Sequence, residues 1–224
     1  MLKIAHRGAS GLAPENTLAA FRKAIELGAD MIELDVRRCG SGELVVTHDP
    51  ILLRRYGLFG LVKNRTLKEL KALEADPEKQ ILTLEEALKV IRGRTALDIE
   101  LKEGGTAGEV LTIIKANMEN GWGWNNLLLS SFHYQQLVVA RAECPEIKLV
   151  PICLTWPFKC FSFSKKIGAK AIKTNRFFVT QNLIKKVRDH GLEIYVWTVN
   201  SPVQIAKFKH WRVDGIISDY PDYL

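Results

Sequence analysis

Short apolar runs alternate with helix-like stretches from one end of this chain to the other, the pattern expected when helices cover a mostly parallel sheet. Nine runs predict strands, at residues 2–5, 31–36, 44–47, 95–101, 127–131, 148–154, 171–174, 193–199 and 215–218. The pattern therefore predicts an α/β barrel. Nine is one strand more than an eight-stranded barrel needs, and the pattern does not show which run is surplus.

The barrel is predicted to be irregular near its second and third strands. The link at residues 37–43 contains the turn signal Cys39-Gly40-Ser41-Gly42 and is too short for a crossover helix. Residues 49–80 then break the alternation and predict a short lid-like insertion over the barrel mouth. With 224 residues, 47% of them hydrophobic, we expect a single domain spanning residues 1–224.

The composition argues against a membrane-spanning protein, a secreted disulfide-rich protein and a nucleic-acid-binding protein. No stretch approaches the roughly 20 apolar residues of a membrane span, and residues 1–5 lack a signal-peptide pattern, so we expect a cytoplasmic protein. The four cysteines are expected to be reduced, because they lack metal-site spacing and the density of a disulfide scaffold. A net charge of +7 favours anionic partners, but no nucleic-acid motif is present.

Three acidic residues on predicted strands indicate a metal site. Glu33 and Asp35 lie two residues apart, so their side chains share one face of a strand with Cα atoms about 7 Å apart. A buried carboxylate pair is costly unless a cation is nearby. Glu100 near the end of a later strand is the preferred third ligand, with Asp98 as the alternative. Oxygen donors without nearby cysteines or paired histidines favour Mg²⁺ or Ca²⁺, or Mn²⁺, over zinc.

Two histidines, His6 and His48, directly follow predicted strands, and each stands beside a charged residue. At the barrel mouth with the carboxylates, such a pair favours acid–base catalysis over a structural role. Three carboxylates, one divalent ion and one phosphodiester sum to roughly minus two, so the site needs further cations. Arg7 and Lys102 are placed to supply them.

A series of motifs along nearly the whole chain resembles the glycerophosphodiester phosphodiesterase family, whose members are phosphodiesterase TIM barrels similar to phospholipase C. The matching segments are His6-Arg7-Gly8, Pro14-Glu15-Asn16-Thr17, Glu33-Leu34-Asp35-Val36, Val46-Thr47-His48-Asp49, Glu100-Leu101-Lys102, Ser130-Ser131-Phe132, Val196-Trp197-Thr198-Val199-Asn200 and Asp214-Gly215-Ile216-Ile217-Ser218-Asp219. Their order along the chain is more specific than any single motif.

The resemblance implies a TIM-type (β/α)8 barrel that hydrolyses glycerophosphodiesters to glycerol 3-phosphate and an alcohol with Mg²⁺ or Ca²⁺. It gives acid–base roles to His6 and His48, and metal binding to Glu33, Asp35 and Glu100. It implies that Arg7 and Lys102 bind the phosphate, and that Phe132 and Trp197 line the mouth. Ordinary core packing is the alternative for these two aromatics. Asp219 is expected to orient a neighbouring residue.

The chain departs from the family pattern at Arg54-Arg55-Tyr56-Gly57 and in a shorter insertion, which leaves the range of alcohols open. One alternative is a lysophospholipase D-type activity at a membrane surface, because residues 156–166 mix aromatics with lysines. Membrane contact is nonetheless not expected, since a buried aromatic loop also explains this segment. A third candidate is a non-catalytic protein that binds phosphorylated metabolites. The sequence leaves the oligomeric state open.

Overall fold

A computed structural model describes residues 1–153 and 158–224, with the side chains of Phe158 and Lys159 outside that description. Within these described residues, ten strands form one sheet, in the order β1-β10-β9-β8-β7-β6-β5-β2-β3-β4. Their bounds are Leu2–His6 (β1), Met31–Arg38 (β2), Leu44–Val46 (β3), Leu82–Thr83 (β4), Ala96–Leu101 (β5), Leu127–Ser131 (β6), Lys148–Cys153 (β7), Ala171–Asn175 (β8), Glu193–Trp197 (β9) and Gly215–Ser218 (β10).

Eight of these strands are parallel, and the pairing of β1 with β2 closes them into a ring. This confirms the predicted TIM-type barrel. The surplus strand is β3, which runs antiparallel to the outer end of β2, with Val46 opposite Val36. The sequence pattern missed β4, a two-residue strand that pairs with β3. The irregularity near the second and third strands is therefore this antiparallel extension.

Most of the helices cover the outside of the ring. The bounds of the helices are Leu18–Glu26 (α1), Leu53–Tyr56 (α2), Leu67–Lys71 (α3), Leu84–Ile91 (α4), Ala107–Ala116 (α5), Tyr134–Glu143 (α6), Phe158–Ile167 (α7), Gln181–Asp189 (α8) and Pro202–His210 (α9). The exceptions are α2 and α3, which belong to the insertion. At the start of α4, Thr83 accepts a hydrogen bond from the Glu86 amide while the Glu86 carboxylate accepts one from Thr83. This capping box fixes where the helix begins.

The segment at residues 49–80 returns to the sheet at β4 after two short helices. It packs on the β2–β3 hairpin, where the Gly40 amide donates to the Arg65 carbonyl at 2.6 Å. A Cβ at Gly40 would lie 2.9 Å from the backbone of Arg65, so this approach requires glycine. This contact holds the insertion against the β2–β3 hairpin. His48 lies two residues after the end of β3, where the insertion begins.

Alternation along the strands sorts the inside of the barrel into two layers. A lower layer is apolar and includes Ile4, Met31, Leu128, Val150, Ala171, Tyr195 and Ile217. The layer above it is polar. It includes His6, Glu33, Ser130 and Lys173, each of which lies two residues after a member of the apolar layer and therefore on the same face of its strand. The apolar layer closes the bottom of the barrel, and the polar layer faces its C-terminal mouth.

The expectation that all four cysteines are reduced is wrong for one pair. Cys153 ends β7, Cys160 lies in the first turns of α7, and the structure joins them in a disulfide with a Cα–Cα separation of 6.1 Å. The two cysteines are seven residues apart along the chain, and this spacing alone did not reveal that they pair. Cys39 and Cys144 are free and buried.

No helix within the described ranges 1–153 and 158–224 is both long and apolar enough to cross a bilayer.

Candidate active site

Three buried carboxylates meet inside the upper end of the barrel. Oxygens of Glu33, Asp35 and Glu100 all lie within 4.8 Å of one another. The register explains this convergence, because β2 pairs with β5 and places Asp35 directly opposite Glu100. The three predicted acids therefore converge on one point, as their strand positions required.

The donor set suits a hard divalent cation. Each of the three carboxylates is at most 7% exposed, and the Asp35 Oδ1 atom has no hydrogen-bond partner in the described part of the chain. Burial and the neighbouring charge of Asp35 raise the pKa of both Glu33 and Glu100. Carboxylates that repel one another in a buried cluster would be stabilised by a shared cation.

Two basic side chains cover the cluster. The Lys102 Nζ atom lies 2.6 Å from a Glu100 oxygen and 3.4 Å from Asp35 Oδ1. The Arg7 Nε atom lies 3.2 Å from Asp35 Oδ2, and the Arg7 amide donates to Glu33 at 3.1 Å. Burial acts to raise the pKa of Asp35, but Arg7 and Lys102 outweigh it and hold that pKa well below its usual value. Asp35 is therefore ionised even without a bound ion.

Each predicted histidine forms a pair with an aspartate. The His6 Nδ1 atom lies 2.6 Å from Asp219 Oδ1, and the His48 Nδ1 atom lies 2.6 Å from Asp49 Oδ1. Because Nδ1 is engaged in both rings, Nε2 is the atom left for proton transfer. The prediction that Asp219 orients a neighbour agrees with this contact.

Asp219 is itself held in place from two sides. It accepts hydrogen bonds from Ser10 Oγ at 2.9 Å and from Asn200 Nδ2 at 2.5 Å. Burial acts to raise the pKa of Asp219, yet the hydrogen bonds from His6, Asn200 and Ser10 dominate and lower it to about 2. Burial and the charges of Arg7 and Lys102 outweigh the opposing effects of Asp35 and Asp49 and lower the pKa of His48, which favours its neutral ring at neutral pH.

The predicted aromatic residues stand on one wall of the mouth. The rings of Phe132 and Trp197 meet edge to face with centroids 5.9 Å apart, and Lys102 lies over the Phe132 ring. The cleft that they border contains eight of the nine predicted site residues: His6, Arg7, Glu33, His48, Glu100, Lys102, Phe132 and Trp197. The ninth, Asp35, lies behind Arg7.

Sequence reasoning did not assign roles to Asn16 and Glu15. The Asn16 side chain is fully buried and donates to Asp35 Oδ2 at 3.0 Å. The backbone of Asn16 is left-handed, with φ of +57°. Glu15 accepts a hydrogen bond from Arg7 at 2.9 Å. Both residues belong to the family-like motif Pro14-Glu15-Asn16-Thr17, which is the one sequence signal for them.

Lys173 was also missed, and it supports the cluster from below. Its Nζ atom lies 2.5 Å from Asp98 Oδ2 and 2.9 Å from Ser130 Oγ, and Ser130 donates to Asp98 Oδ1 at 2.7 Å. Lys173 is only 2% exposed and Asp98 is fully buried. Asp98 is thus the buried partner of a lysine, whereas Glu100 belongs to the carboxylate cluster.

Replacing Lys173 with methionine is expected to lower the free energy of unfolding by about 3–5 kcal/mol, because it leaves the Asp98 carboxylate buried without its cation. The double substitution Lys173→Met with Asp98→Asn should recover most of that loss. Chemical denaturation of the wild type, both single variants and the double variant measures the coupling directly. Additive losses in this cycle would mean that the pair does not act as a unit.

The charged layer lies at the C-terminal ends of the barrel strands, the end at which TIM barrels carry their active sites. Fold and site together therefore define a TIM-barrel enzyme.

Comparison with known proteins gives the family. Residues 6–223 match the model of the glycerophosphoryl diester phosphodiesterase family, and the chain belongs to that family. Over its full length the chain is 33% identical to a glycerophosphodiester phosphodiesterase of Caldanaerobacter subterraneus, covering 96% of that protein. It is 35% identical to a glycerophosphodiester phosphodiesterase of Bacillus altitudinis, with 99% of this chain and 96% of that protein covered.

A solved structure agrees with this assignment. A phosphodiesterase of Oleispira antarctica, in complex with the product sn-glycerol-3-phosphate, is 30% identical and superposes with a TM-score of 0.87. The alignment covers 98% of this chain and 93% of that one. The present protein is accordingly a glycerophosphodiester phosphodiesterase, a phosphoric diester hydrolase.

Proposed function

We propose that this enzyme hydrolyses glycerophosphodiesters to glycerol 3-phosphate and an alcohol by acid–base catalysis between His6 and His48 at a divalent cation. The observation that supports this most is the carboxylate cluster in a cleft lined by His6 and His48, each of which is paired with an aspartate. The relative crystallised with sn-glycerol-3-phosphate supports the same product here.

Glu33, Asp35 and Glu100 are the residues proposed to hold the cation, with Mg²⁺ or Ca²⁺ preferred and Mn²⁺ also acceptable to an all-oxygen site. When bound, such an ion supplies Lewis-acid stabilisation of the charge that develops on phosphate oxygens. Arg7 and Lys102 lie beside the cluster and are the proposed phosphate ligands, Arg7 through its planar fork and Lys102 as a point charge.

His48 is the proposed general base. Because its pKa is lowered, its ring is neutral at neutral pH and can accept a proton from the attacking hydroxyl or water at Nε2. His6 is the proposed general acid, since the ionised Asp219 holds its Nδ1 atom and leaves Nε2 to donate to the leaving alkoxide. Phe132 and Trp197 form the wall against the glycerol or its substituent.

The lowered pKa of His48 predicts the pH dependence. A base with a lowered pKa remains unprotonated until the pH falls below its ordinary value near 6.5, so kcat/KM should stay high down to slightly acidic pH. A pH profile at saturating cation measures the acidic limb, which we expect below pH 6.5. A limb above pH 7 would contradict the assignment of His48 as the base.

The test of the proposed function is an alcohol-release assay on glycerophosphocholine, glycerophosphoethanolamine, glycerophosphoglycerol and lysophosphatidylcholine. Each substrate is assayed with Mg²⁺, Ca²⁺, Mn²⁺ or a chelator. We expect release from the water-soluble diesters, its loss with chelator and its recovery with added ion. Binding of these diesters without release under any ion would instead support the non-catalytic alternative.

The lysophospholipid alternative draws no support from the described part of residues 156–166. Phe161 is buried, and Phe163 is half-buried and stacks on Tyr134. Residues 156–157 and the side chains of Phe158 and Lys159 lie outside the described part. Lysophospholipase activity and a cytoplasmic location both stay predictions, the first decided by the assay above.

A further inference from the structure

Residues 51–61 of the insertion form a closed loop that is rich in apolar side chains. Its ends are joined by an antiparallel bridge between Ile51 and Leu61 and by a hydrogen bond from the Leu52 amide to the Gly60 carbonyl. Buried Leu52 anchors the loop to a small core with Cys39, Val45, Val62, Leu70 and Ile81. The loop is therefore fixed to the body of the protein, and what it exposes is set by the fold.

Four large apolar side chains of this loop nevertheless face solvent. Phe59 is 84% exposed, and Ile51, Leu53 and Leu58 are each close to half exposed. Single exposed apolar residues are ordinary, but four on one closed loop of eleven residues are a concentration of the kind found at contact surfaces.

The charge around this loop is one-sided. Residues 50–68 contain five basic side chains and no acidic one. Arg54 pairs with Glu15 and Asp49, and Arg65 pairs with Glu69. Arg55 is half-buried and donates to the Lys79 carbonyl. Lys63 and Lys68 are exposed and have no ion-pair partner among residues 1–153 and 158–224, so their charge is available to an anionic surface. A second copy of this chain would bring like charges together and is disfavoured.

A second apolar turn stands across the mouth. Phe177 and Phe178 lie in the turn Arg176–Phe178 after β8 and are 73% and 51% exposed. Asn175 fixes the turn by accepting from the Phe177 amide, and the Arg176 guanidinium lies 4.5 Å above the Phe177 ring. In the ring of eight strands, β8 is four strands from β2 in either direction. The two aromatic and basic features therefore flank the opening on opposite sides.

We propose that this enzyme docks on anionic phospholipid membranes, with the loop 51–61 and the turn 176–178 as its two contacts and the active-site mouth facing the lipid. Aromatic and aliphatic side chains enter the interface while the neighbouring lysines and arginines meet the headgroups. Arg54 joins the loop to Asp49, the partner of His48, so docking acts on the rim of the catalytic cleft. Membrane binding by this surface does not depend on the proposed catalytic roles.

Vesicle sedimentation tests this proposal. The full chain is mixed at low salt with vesicles of phosphatidylglycerol and phosphatidylcholine, or of phosphatidylcholine alone. We expect the wild type to sediment with the anionic vesicles and to be released by high salt. The double variant Phe59→Asp, Lys63→Glu should lower the bound fraction at least about tenfold. Lys170→Glu is the matched control, because exposed Lys170 precedes β8 at the opposite end of the barrel.

Glycerophosphocholine turnover by the double variant should equal that of the wild type, because neither residue borders the catalytic cleft. This readout separates failure of docking from failure of the proposed chemistry. The proposal is overturned if the wild type stays in the supernatant with anionic vesicles, or if the double variant sediments as the wild type does. It is also overturned if light scattering shows a dimer that Phe59→Asp dissociates while vesicles bind nothing, since a second copy would then cover the loop.

Discussion

Replacing His6 with alanine is expected to lower kcat by about 10²–10⁴ while leaving the fold intact. The substitution removes the proposed general acid, so the leaving alkoxide must depart without a proton. The fold should survive because Asp219 keeps its hydrogen bonds with Ser10 and Asn200 when His6 is removed. Steady-state turnover of glycerophosphocholine, with thermal unfolding as the check on folding, measures both expectations.

The same variant can distinguish an acid from a residue that only supports the site. An aryl ester of glycerol 3-phosphate has a weakly basic leaving group that needs no protonation, so His6→Ala should lose far less activity on it. His48→Ala should be equally impaired on both substrates, because a base acts on the attacking group. His210→Ala is the matched control, since His210 is exposed at the end of α9 and does not line the cleft. Equal defects on both substrates for His6→Ala would contradict its assignment as the acid.

Parallel barrel strands were readable from the sequence because both of their faces are buried, which produces short continuous apolar runs. Strand β3 has the same apolar character, with all three residues buried, yet it lies outside the ring. Its position depends on an antiparallel pairing with the outer end of β2. Nothing in its composition distinguishes it from the eight strands of the ring. Strand β4 was missed because two residues are too few to show a period.

The candidate site was predictable where its geometry is local. Glu33 and Asp35 lie on one strand, so their shared face follows from the period of two. By contrast, the Lys173–Asp98 contact joins β8 to β5 across the inside of the barrel, and sequence separation says nothing about that distance. A lysine inside an apolar strand was nevertheless a signal, because a buried ammonium needs a partner.

The motif resemblance and the residue chemistry contributed different parts of the interpretation. Spacing alone placed the acids and histidines near one another, while the order of the motifs gave the family. Neither predicted that both histidines would bind aspartates through Nδ1. Asp49 adjoins His48 in the chain and could have been proposed, whereas Asp219 lies 213 residues from His6 and reaches it only because β10 pairs with β1.

Replacing Glu33 with glutamine is expected to reduce turnover by at least about 10³-fold, because it removes one of the three proposed cation ligands and with it several kcal/mol of charge stabilisation. The amide is nearly isosteric with the carboxylate, and its oxygen can still accept from the Arg7 amide. The loss of activity should therefore arise from weaker ion binding, with the fold unchanged.

Thermal unfolding with and without Mg²⁺ or Ca²⁺ tests that origin independently of activity. Wild type should be stabilised by the ion, since a ligand that binds only the folded state raises its stability, and Glu33→Gln should lose this increase.

Without ion, the variant should melt at or above the wild-type temperature. Burial and Asp35 raise the pKa of Glu33, so the ionised carboxylate is unfavourable in the folded state and its removal should not destabilise the protein. The exposed substitution Glu26→Gln is the matched control. An undiminished ion-induced stabilisation in Glu33→Gln would place the cation elsewhere.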